Sequence, residues 1–403
     1  MTAFTGPIKD VCLGIYDGPH ATPKESDTGP IFLGIKNVTT DGRLDFSEIR
    51  HVSEQEFPRW TRRVTPKKGD IVFSYEATLH LYALIPEGFH GCLGRRMALV
   101  RPDPSKVVPR YLHYYFLSPA WKAMMMSNVI TGATVDRIPL TRFPDFPVRI
   151  PVLAEQQRIS DILSPYDDLI ENNRRRISLL EESARLLYRE WFVYLRFPGH
   201  EHTKVVNGVP HGWERKPLGD SIKTASGGTP SRKKPEFYGE GVAWVKTKEL
   251  NDGFIFDTEE QITQIGLENS SAKLFPKGTV LLAMYGATIG ATAILGKAAT
   301  TNQACCALLV AERKGLGYYS FLWLRDIKDV LVGMGMGAAQ PNLSQDIIRK
   351  IDFLMPPDLL LSEFDDYIGD SFKQIATLTQ KNEKLREARD LLLPRLMNGE
   401  IQV

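Results

Sequence analysis

The sequence predicts an α+β protein. Two similar mixed α/β domains are separated by two long helices, which form an antiparallel coiled coil with pseudo-two-fold symmetry. Three observations predict this class: an internal duplication, short strand-like segments in both copies, and two stretches with the apolar period of a coiled coil. A chain of 403 residues has the length of about two to three domains. The predicted boundaries are 1–152 for the first domain, 153–196 for the first helix, 197–357 for a linker and the second domain, and 358–403 for the second helix.

The duplication has a period of about 205 residues. In the helical part, six residues recur without a gap: Asp161, Ile170, Leu180, Glu182, Leu186 and Leu187 return as Asp366, Ile375, Leu385, Glu387, Leu391 and Leu392. Upstream, the tyrosine-rich segment YLHYYFL (111–117) corresponds to YYSFLWL (318–324). A repeat of this length is typical of duplicated domains and not of a solenoid.

Each copy begins with a mixed region of short strands broken by glycine and proline turns. The predicted strands include DIVFS (70–74), MALVR (97–101), TVLLAMY (279–285) and CCALLVA (305–311). LGIKN (33–37) also corresponds loosely to WVKTK (244–248). Residues 197–213 are rich in Pro, Gly and His, which predicts a linker or exposed loop between the copies.

The two predicted helices each carry an apolar seam whose steps alternate between four and three residues. The first seam consists of Ile159, Leu163, Tyr166, Ile170, Asn173, Ile177, Leu180, Ala184, Leu187 and Trp191. Adding 205 gives Phe364, Ile368, Ser371, Ile375, Leu378, Asn382, Leu385, Arg389, Leu392 and Leu396, in which Arg389 is the charged exception. This spacing is the 3.5-residue period of a coiled coil.

In full antiparallel register, Asn173 faces Asn382, so each amide can satisfy the other within an apolar seam. The predicted spacer layers around this pair are formed by Ile177, Leu180, Leu187, Leu378, Leu385 and Leu392. About 33 helical residues span roughly 50 Å, which favours a spacer over a clasp around one active site. The alternative is two independent amphipathic helices, each packed on its own domain. Pro165 and Gly369 predict a kink or a break in each helix.

Composition and motifs exclude several classes of protein. No run of about 18 apolar residues is present and the first residues lack a signal-peptide pattern, so we expect a cytoplasmic protein. The four cysteines have neither disulfide-framework density nor zinc-finger spacing. No phosphate-binding loop, dinucleotide fingerprint or hydrolase motif occurs, and His200–His202 has no third metal ligand at a recognisable spacing. We therefore expect no catalytic residue, metal site or cofactor in this chain.

Local positive charge points instead to nucleic-acid binding, although the formal net charge is only +2. The glycine-containing loop 226–241 presents Arg232, Lys233 and Lys234, which can neutralise phosphates. Lys36 in LGIKN, together with Lys246 and Lys248 in WVKTK, adds cations at corresponding places in the two copies.

Polar loops near the end of each domain are predicted to read bases. Segment 337–344 presents Gln340 and Asn342, whose amides can contact an adenine edge. Its counterpart in the first copy presents Thr134 and Arg137. In the second copy, a further predicted contact comes from the segment AMYGATIG (283–290), which contributes Tyr285 and Thr288.

These residues stand among segments that resemble the specificity subunit of a type I restriction-modification system. The segments are GWERKPLGD (212–220), GGTPSRKKPEFYGEGVAWVKTKEL (227–250), MYGATIG (284–290), AEQQRISDILSPYDDLIENNRRRISLLEESARLLYREWF (154–192) and LREARDLLLPRLMNGEIQV (385–403). The resemblance covers nearly the whole chain and is weaker over residues 1–100, where the opening GW…LGD pattern is missing.

The resemblance implies a non-catalytic prokaryotic subunit with two target-recognition domains, each reading one half of a split site in double-stranded DNA. The helices would form the spacer and dock two modification subunits, which bind S-adenosylmethionine and methylate adenine. Restriction subunits would add ATP- and Mg²⁺-dependent translocation and cleavage. A stand-alone DNA methyltransferase or nuclease with an unrecognised active site is the alternative, and a coiled-coil adaptor that binds only proteins is a third possibility.

Overall fold

The computed structural model describes residues 3–131, 135–335 and 342–403. The chain forms two compact units. Unit 1 comprises Met1–Leu169 and Leu385–Val403, and unit 2 comprises Ile170–Lys384. Both long helices therefore contribute to both units, because each unit boundary falls within a helix. In the part of the chain that the structure describes, no helix combines the length and apolar character needed to cross a membrane.

Unit 1 is built on a four-stranded sheet and a three-stranded sheet. Its strands are β1 (Phe4–Pro7), β2 (Cys12–Asp17), β3 (Ser26–Leu33), β4 (Arg50–His51), β5 (Ile71–Ser74), β6 (Tyr82–Leu84), β7 (Gly91–Leu93), β8 (Met97–Pro102) and β9 (Pro147–Ile150). Its short helices are α1 (Phe57–Trp60), α2 (Pro109–Leu117) and α3 (Pro119–Ser127). Strands β1 and β9 pair antiparallel.

Unit 2 repeats this arrangement with additional elements. Its strands are β10 (Val205–Val206), β11 (Val209–Pro210), β12 (Glu214–Pro217), β13 (Thr224–Ser226), β14 (Tyr238–Val245), β15 (Gly253–Ile255), β16 (Gln261–Ile262), β17 (Leu274–Phe275), β18 (Val280–Ala283), β19 (Thr292–Leu295), β20 (Ala299–Thr301), β21 (Cys305–Leu308) and β22 (Asp352–Met355). The sheet β13-β21-β18-β19-β15 corresponds to β2-β8-β5-β6, and β16-β14-β20-β17 corresponds to β4-β3-β7. The parallel pair β3–β7 recurs as β14–β20.

The helices of unit 2 are α5 (Leu218–Ser221), α6 (Gln264–Glu268), α7 (Leu316–Asp326), α8 (Lys328–Gly335) and α9 (Gln345–Arg349). The tyrosine-rich segments lie in α2 and α7, as the duplication predicts. Helix α2 begins with a proline in its first turn and ends at Leu117, just before Ser118 caps α3 by accepting a hydrogen bond from the Trp121 amide at 3.3 Å. Tyr111 and Tyr319 are buried at the corresponding cores.

The long helices are α4 (Leu153–Tyr188), which continues into a π-helical turn over Arg189–Val193, and α10 (Asp358–Met397). The expected breaks at Pro165 and Gly369 are absent from these two described helices, since α4 and α10 run through both positions. Packing of the seam explains this continuity, because apolar burial offsets the one hydrogen bond that a proline removes.

The predicted antiparallel pairing is observed in unit 2. The Asn173 side chain donates a hydrogen bond to Oδ1 of Asn382 at 2.9 Å, and both residues are buried. The rings of Trp191 and Phe364 lie 5.5 Å apart, in the register that the Asn pair requires. In this seam Ile368, Ile375 and Leu378 are buried, and the partly buried Ile177, Leu180 and Leu187 pack against the same core. The alternative of two helices that do not pair is therefore wrong for unit 2.

Unit 1 contains the other end of each helix. Ile159, Leu163, Leu393 and Leu396 lie in one core cluster, with Leu392 packed against it, while Leu385 is half-buried. Arg389 is buried at a seam position and donates a hydrogen bond to Asp167 at 2.7 Å. Asp167 also accepts a hydrogen bond from Tyr114 at 2.5 Å. Arg389, the charged residue of the predicted seam, is thus neutralised by Asp167, which directly follows the seam residue Tyr166 in sequence.

Candidate nucleic-acid interface

The predicted cations Lys36 and Lys248 occupy equivalent places in the two units. Each is the central residue of a 3₁₀ turn, Ile35–Asn37 after β3 and Thr247–Glu249 after β14. Both turns are closed by a side chain three residues on: Asn37 accepts from the Gly34 amide at 3.0 Å, and Glu249 accepts from the Lys246 amide at 2.7 Å. The two segments therefore share a local structure, but residues 34–37 align with 246–249, one residue further along than the correspondence of LGIKN with WVKTK predicts.

Both lysines are paired with carboxylates. Lys36 lies 3.5 Å from Glu48, and both side chains are 79% exposed. Lys248 lies 2.5 Å from Glu259. Exposed pairs of this kind contribute roughly 0–1 kcal/mol, so a phosphate can displace the glutamate at small cost.

Lys246 is held more firmly than the sequence suggests. Its side chain is only 16% exposed and contacts Glu260 at 2.7 Å and Glu259 at 3.4 Å. The hydrogen bond from Lys246 lowers the pKa of Glu260, and the hydrogen bond to Glu260 raises the pKa of Lys246, so both groups remain charged near neutral pH. Lys246 thus anchors two carboxylates and has little surface left for a phosphate.

Three further predicted cations lie together in the loop before β14. Arg232 contacts Glu260 at 2.7 Å and stacks over the ring of Tyr238 at 4.1 Å. Lys234 lies over the ring of Phe237 at 4.8 Å. Lys233 is exposed and has no ion-pair partner among the described residues. The loop is therefore ordered by cation–aromatic contacts and still presents positive charge to solvent.

Three of the predicted base-reading residues, Arg137, Tyr285 and Asn342, lie in an arrangement of three loops that occurs in both units. We call this arrangement the three-loop cluster. In unit 1 the cluster comprises residues 75–76, 95–96 and 137–138, and in unit 2 it comprises residues 284–285, 303–304 and 342–343. Each cluster lies where the central strand of the larger sheet ends.

The same backbone contacts hold both clusters. In unit 1 the Tyr75 amide donates to the Arg96 carbonyl at 3.2 Å, and the Ile138 amide donates to the Tyr75 carbonyl at 2.8 Å. In unit 2 the Met284 amide donates to the Ala304 carbonyl at 2.9 Å, and the Leu343 amide donates to the Met284 carbonyl at 2.8 Å.

An isolated β-bridge completes each cluster, Glu76 with Arg137 and Tyr285 with Asn342. Arg137 and Asn342 hold the same place in the two bridges, as the 205-residue period predicts, and both are exposed. Tyr285 is 40% exposed, and its carbonyl accepts a hydrogen bond from the Thr288 hydroxyl at 3.0 Å, which closes the short turn behind it. Thr134 and Gln340 lie outside the described residues.

Two exposed residues of these clusters were missed in the sequence, Arg95 and Gln303. Both lie in a four-residue turn that leads into the strand of the core sheet: Met97 donates to the Gly94 carbonyl at 3.2 Å, and Cys305 donates to the Asn302 carbonyl at 3.3 Å. The sequence does contain a sign that the two residues are equivalent, because each stands two residues before a predicted strand, MALVR or CCALLVA.

In residues 3–131, 135–335 and 342–403 no group of three or more His, Cys, Asp or Glu side chains is arranged to hold a metal ion. Burial raises the pKa of the Cys305 and Cys306 thiols to about 12, so neither is a thiolate near neutral pH.

Comparison with known proteins identifies a family to which most of this sequence is similar. Residues 32–182 and 210–387 match the family described as type I restriction modification DNA specificity domain. The chain is 25% identical over 367 residues to the type I restriction enzyme MjaIX specificity subunit of Methanocaldococcus jannaschii, covering 88% of this chain and 82% of that one. It is 26% identical over 406 aligned positions to the HindI specificity subunit of Haemophilus influenzae, covering 83% and 87%.

The fold is also similar to the crystal structure of a type I restriction-modification S subunit from M. genitalium. The TM-score is 0.55 at 14% identity, and the match covers 98% of this chain and 96% of that one. This likeness supports the fold alone, whereas the two matched family segments together span most of the sequence. The chain belongs to the family of type I restriction-modification DNA specificity subunits.

Proposed function

We propose that this chain gives a type I restriction-modification complex its target sequence, with unit 1 and unit 2 each reading one half of a split site in double-stranded DNA. The observation that carries the proposal is the repetition of the three-loop cluster. The same backbone arrangement occurs in both units, while the exposed side chains differ. A duplicated scaffold with different polar groups is suited to reading two different short sequences.

Phosphate contacts and base contacts would come from different parts of each unit. Lys233, Lys234 and the weakly paired lysines Lys36 and Lys248 would position the DNA backbone, because their charge is exposed and sequence-independent. The three-loop clusters would contact base edges, since amides and guanidinium groups discriminate base pairs in the major groove.

The chain itself would carry out no chemistry. Two copies of a modification subunit would dock on the paired helices and supply S-adenosylmethionine and adenine methylation. Restriction subunits would supply ATP- and Mg²⁺-dependent translocation and cleavage. The two-fold repeat of the helices supports two equivalent docking positions, since Leu186 and Leu391 occupy corresponding places and are 52% and 71% exposed.

The test separates this role from catalysis and from protein-only scaffolding. The purified chain is incubated with duplex DNA and S-adenosylmethionine, with and without the modification subunit. We expect salt-dependent DNA binding by the chain and methyl transfer only when the modification subunit is present. Methyl transfer or cleavage by the chain alone would show that it is an enzyme. The absence of DNA binding by both the chain and its complex would favour an adaptor.

A further inference from the structure

The two three-loop clusters differ most in the chemistry of two equivalent positions. The turn position holds Arg95 in unit 1 and Gln303 in unit 2. The bridge position holds Arg137 in unit 1 and Asn342 in unit 2. All four residues are exposed. Unit 1 therefore presents two guanidinium groups where unit 2 presents two carboxamides.

The arginines of unit 1 are available for an external partner. Neither Arg95 nor Arg137 forms an ion pair with any residue that the structure describes, whereas the neighbouring Arg96 lies 3.5 Å from Glu76. An unpaired guanidinium offers two parallel donors, which match the N7 and O6 acceptors of guanine.

The carboxamide of Gln303 is oriented by the protein. The Thr229 hydroxyl donates a hydrogen bond to its Oε1 atom. This contact uses one of the two lone pairs of Oε1, and no residue that the structure describes accepts a hydrogen bond from Nε2. The donor and the remaining acceptor lone pair of this carboxamide match the N7 acceptor and N6 donor of adenine.

We propose, resting on the proposed function, that these positions set the base composition of the two half-sites. Arg95 and Arg137 read guanine in the half-site of unit 1, and Gln303 and Asn342 read adenine in the half-site of unit 2. Both contacts are made in the major groove, where guanine and adenine present distinct patterns. The common backbone implies that exchanging the side chains exchanges the preferred base.

The test is a side-chain exchange in the full chain. Wild type and the double variant Gln303→Arg with Asn342→Arg are each used to select duplexes from a randomised DNA library. The variant is expected to replace adenine by guanine at one or two positions of one half-site, with a change in preference of about 10- to 100-fold, and to leave the other half-site unchanged. The control double variant Gln264→Arg with Asn269→Arg adds the same charge at two other exposed positions of unit 2 and should change no preference.

Arginine already occupies the equivalent turn in unit 1, so the backbone accommodates the exchange at position 303. A second measurement needs no variant. Wild-type chain is bound to its selected duplex carrying 7-deazaadenine or 7-deazaguanine, each of which lacks the N7 acceptor. We expect 7-deazaadenine to weaken binding only in the half-site altered by the exchange, and 7-deazaguanine to weaken it in the other.

The outcomes distinguish this inference from the function on which it rests. If wild type selects a split sequence but the exchange variant selects the same one, the assignment of these residues is wrong. Insensitivity of wild type to both deaza bases would also overturn it. If wild type selects no sequence at all, neither alone nor with its modification subunit, the proposed function fails and the inference fails with it.

Discussion

Asn382 both accepts a hydrogen bond from Asn173 and directs its own amide towards the Ile170 carbonyl, at 2.9 Å and 3.5 Å respectively. These are buried amides in a seam that is otherwise mainly apolar. A satisfied polar pair in a coiled coil fixes register, because any shift leaves both amides without a partner. The pair therefore defines which layers of α4 and α10 meet in unit 2.

Replacing one partner should cost more stability than replacing both. Asn173→Leu strands the Asn382 amide, so we expect the free energy of unfolding to fall by about 1–3 kcal/mol. The double variant with Asn382→Leu should recover most of this loss, since it leaves no unpaired amide. Denaturant unfolding of the two single variants and the double variant measures the coupling. Additive losses would show that the hydrogen bond does not link the two helices.

A buried histidine in α2 predicts acid sensitivity of unit 1. His113 lies with Nε2 3.4 Å from the Tyr82 carbonyl, and burial lowers its pKa from 6.5 to about 4, although Asp167 opposes and Arg110 reinforces this shift. The folded state therefore resists protonation that the unfolded state accepts. Stability is highest above pH 6.5 and declines between pH 6.5 and 4, by about 3 kcal/mol from this residue.

His113→Gln isolates this contribution, because glutamine can still donate to the Tyr82 carbonyl but does not titrate. The difference in unfolding free energy between variant and wild type is measured from pH 7.5 to pH 4. We expect the variant to gain relative to wild type by about 3 kcal/mol as the pH falls. A difference that stays constant across this range would mean that the pKa of His113 is the same in the folded and unfolded states.

Phosphate positioning and base reading should respond differently to mutation. Changing Lys233 and Lys234 to alanine should weaken binding to all sequences about equally and reduce the slope of log K against log salt by about one to two. Changing Asn342 to alanine should instead cost roughly 1–3 kcal/mol of preference at particular base pairs. Titrations at several salt concentrations with specific and random duplexes separate the effects. If both variants respond alike to salt and to sequence, the distinction between phosphate-contacting and base-contacting residues is wrong.

Docking should follow the exposed leucines of the helices and not the buried seam. Leu186→Ser and Leu391→Ser change equivalent outward positions and leave the Asn173–Asn382 layer intact. Each single variant should retain one modification subunit and the double variant none, as measured by native mass spectrometry of the complex. Ser183→Ala, also exposed on α4, is the control. Full assembly of the double variant would place docking elsewhere.

Sequence periodicity was sufficient to predict the helix pairing. The 3.5-residue period and the duplication together determine which layers meet, so the partner of Asn173 follows from counting alone. The partner of Arg389 does not, because Asp167 stands outside the seam and its contact depends on side-chain packing. Packing also explains why the predicted breaks at Pro165 and Gly369 are wrong. Local sequence favours a break at each position, but tertiary contacts keep both helices continuous there.

The contacts of the candidate binding residues were harder to predict than the fold. Lys246 is cationic in the sequence, but the partners that hold it, Glu259 and Glu260, come from a loop 13 and 14 residues away. Arg95 and Gln303 occupy turns whose exposure depends on how three separate loops meet. Local sequence identifies charge and turn propensity, whereas availability for a ligand depends on long-range contacts.

The most direct test of the central claim is the methylation pattern of a chain whose helices have been lengthened. One heptad is inserted into each helix at the facing layer of Leu180 and Ile375, which keeps the seam in phase and adds about 10 Å. Methylated adenines are mapped in cells that carry the wild-type or lengthened chain with its modification subunit.

Wild type should give two specified half-sites separated by an unspecified gap. The lengthened chain should keep both half-sites and widen the gap by about three base pairs, at 3.4 Å per pair. A single continuous target, or an active lengthened chain whose gap is unchanged, would contradict the claim that two units joined by paired helices read a split site.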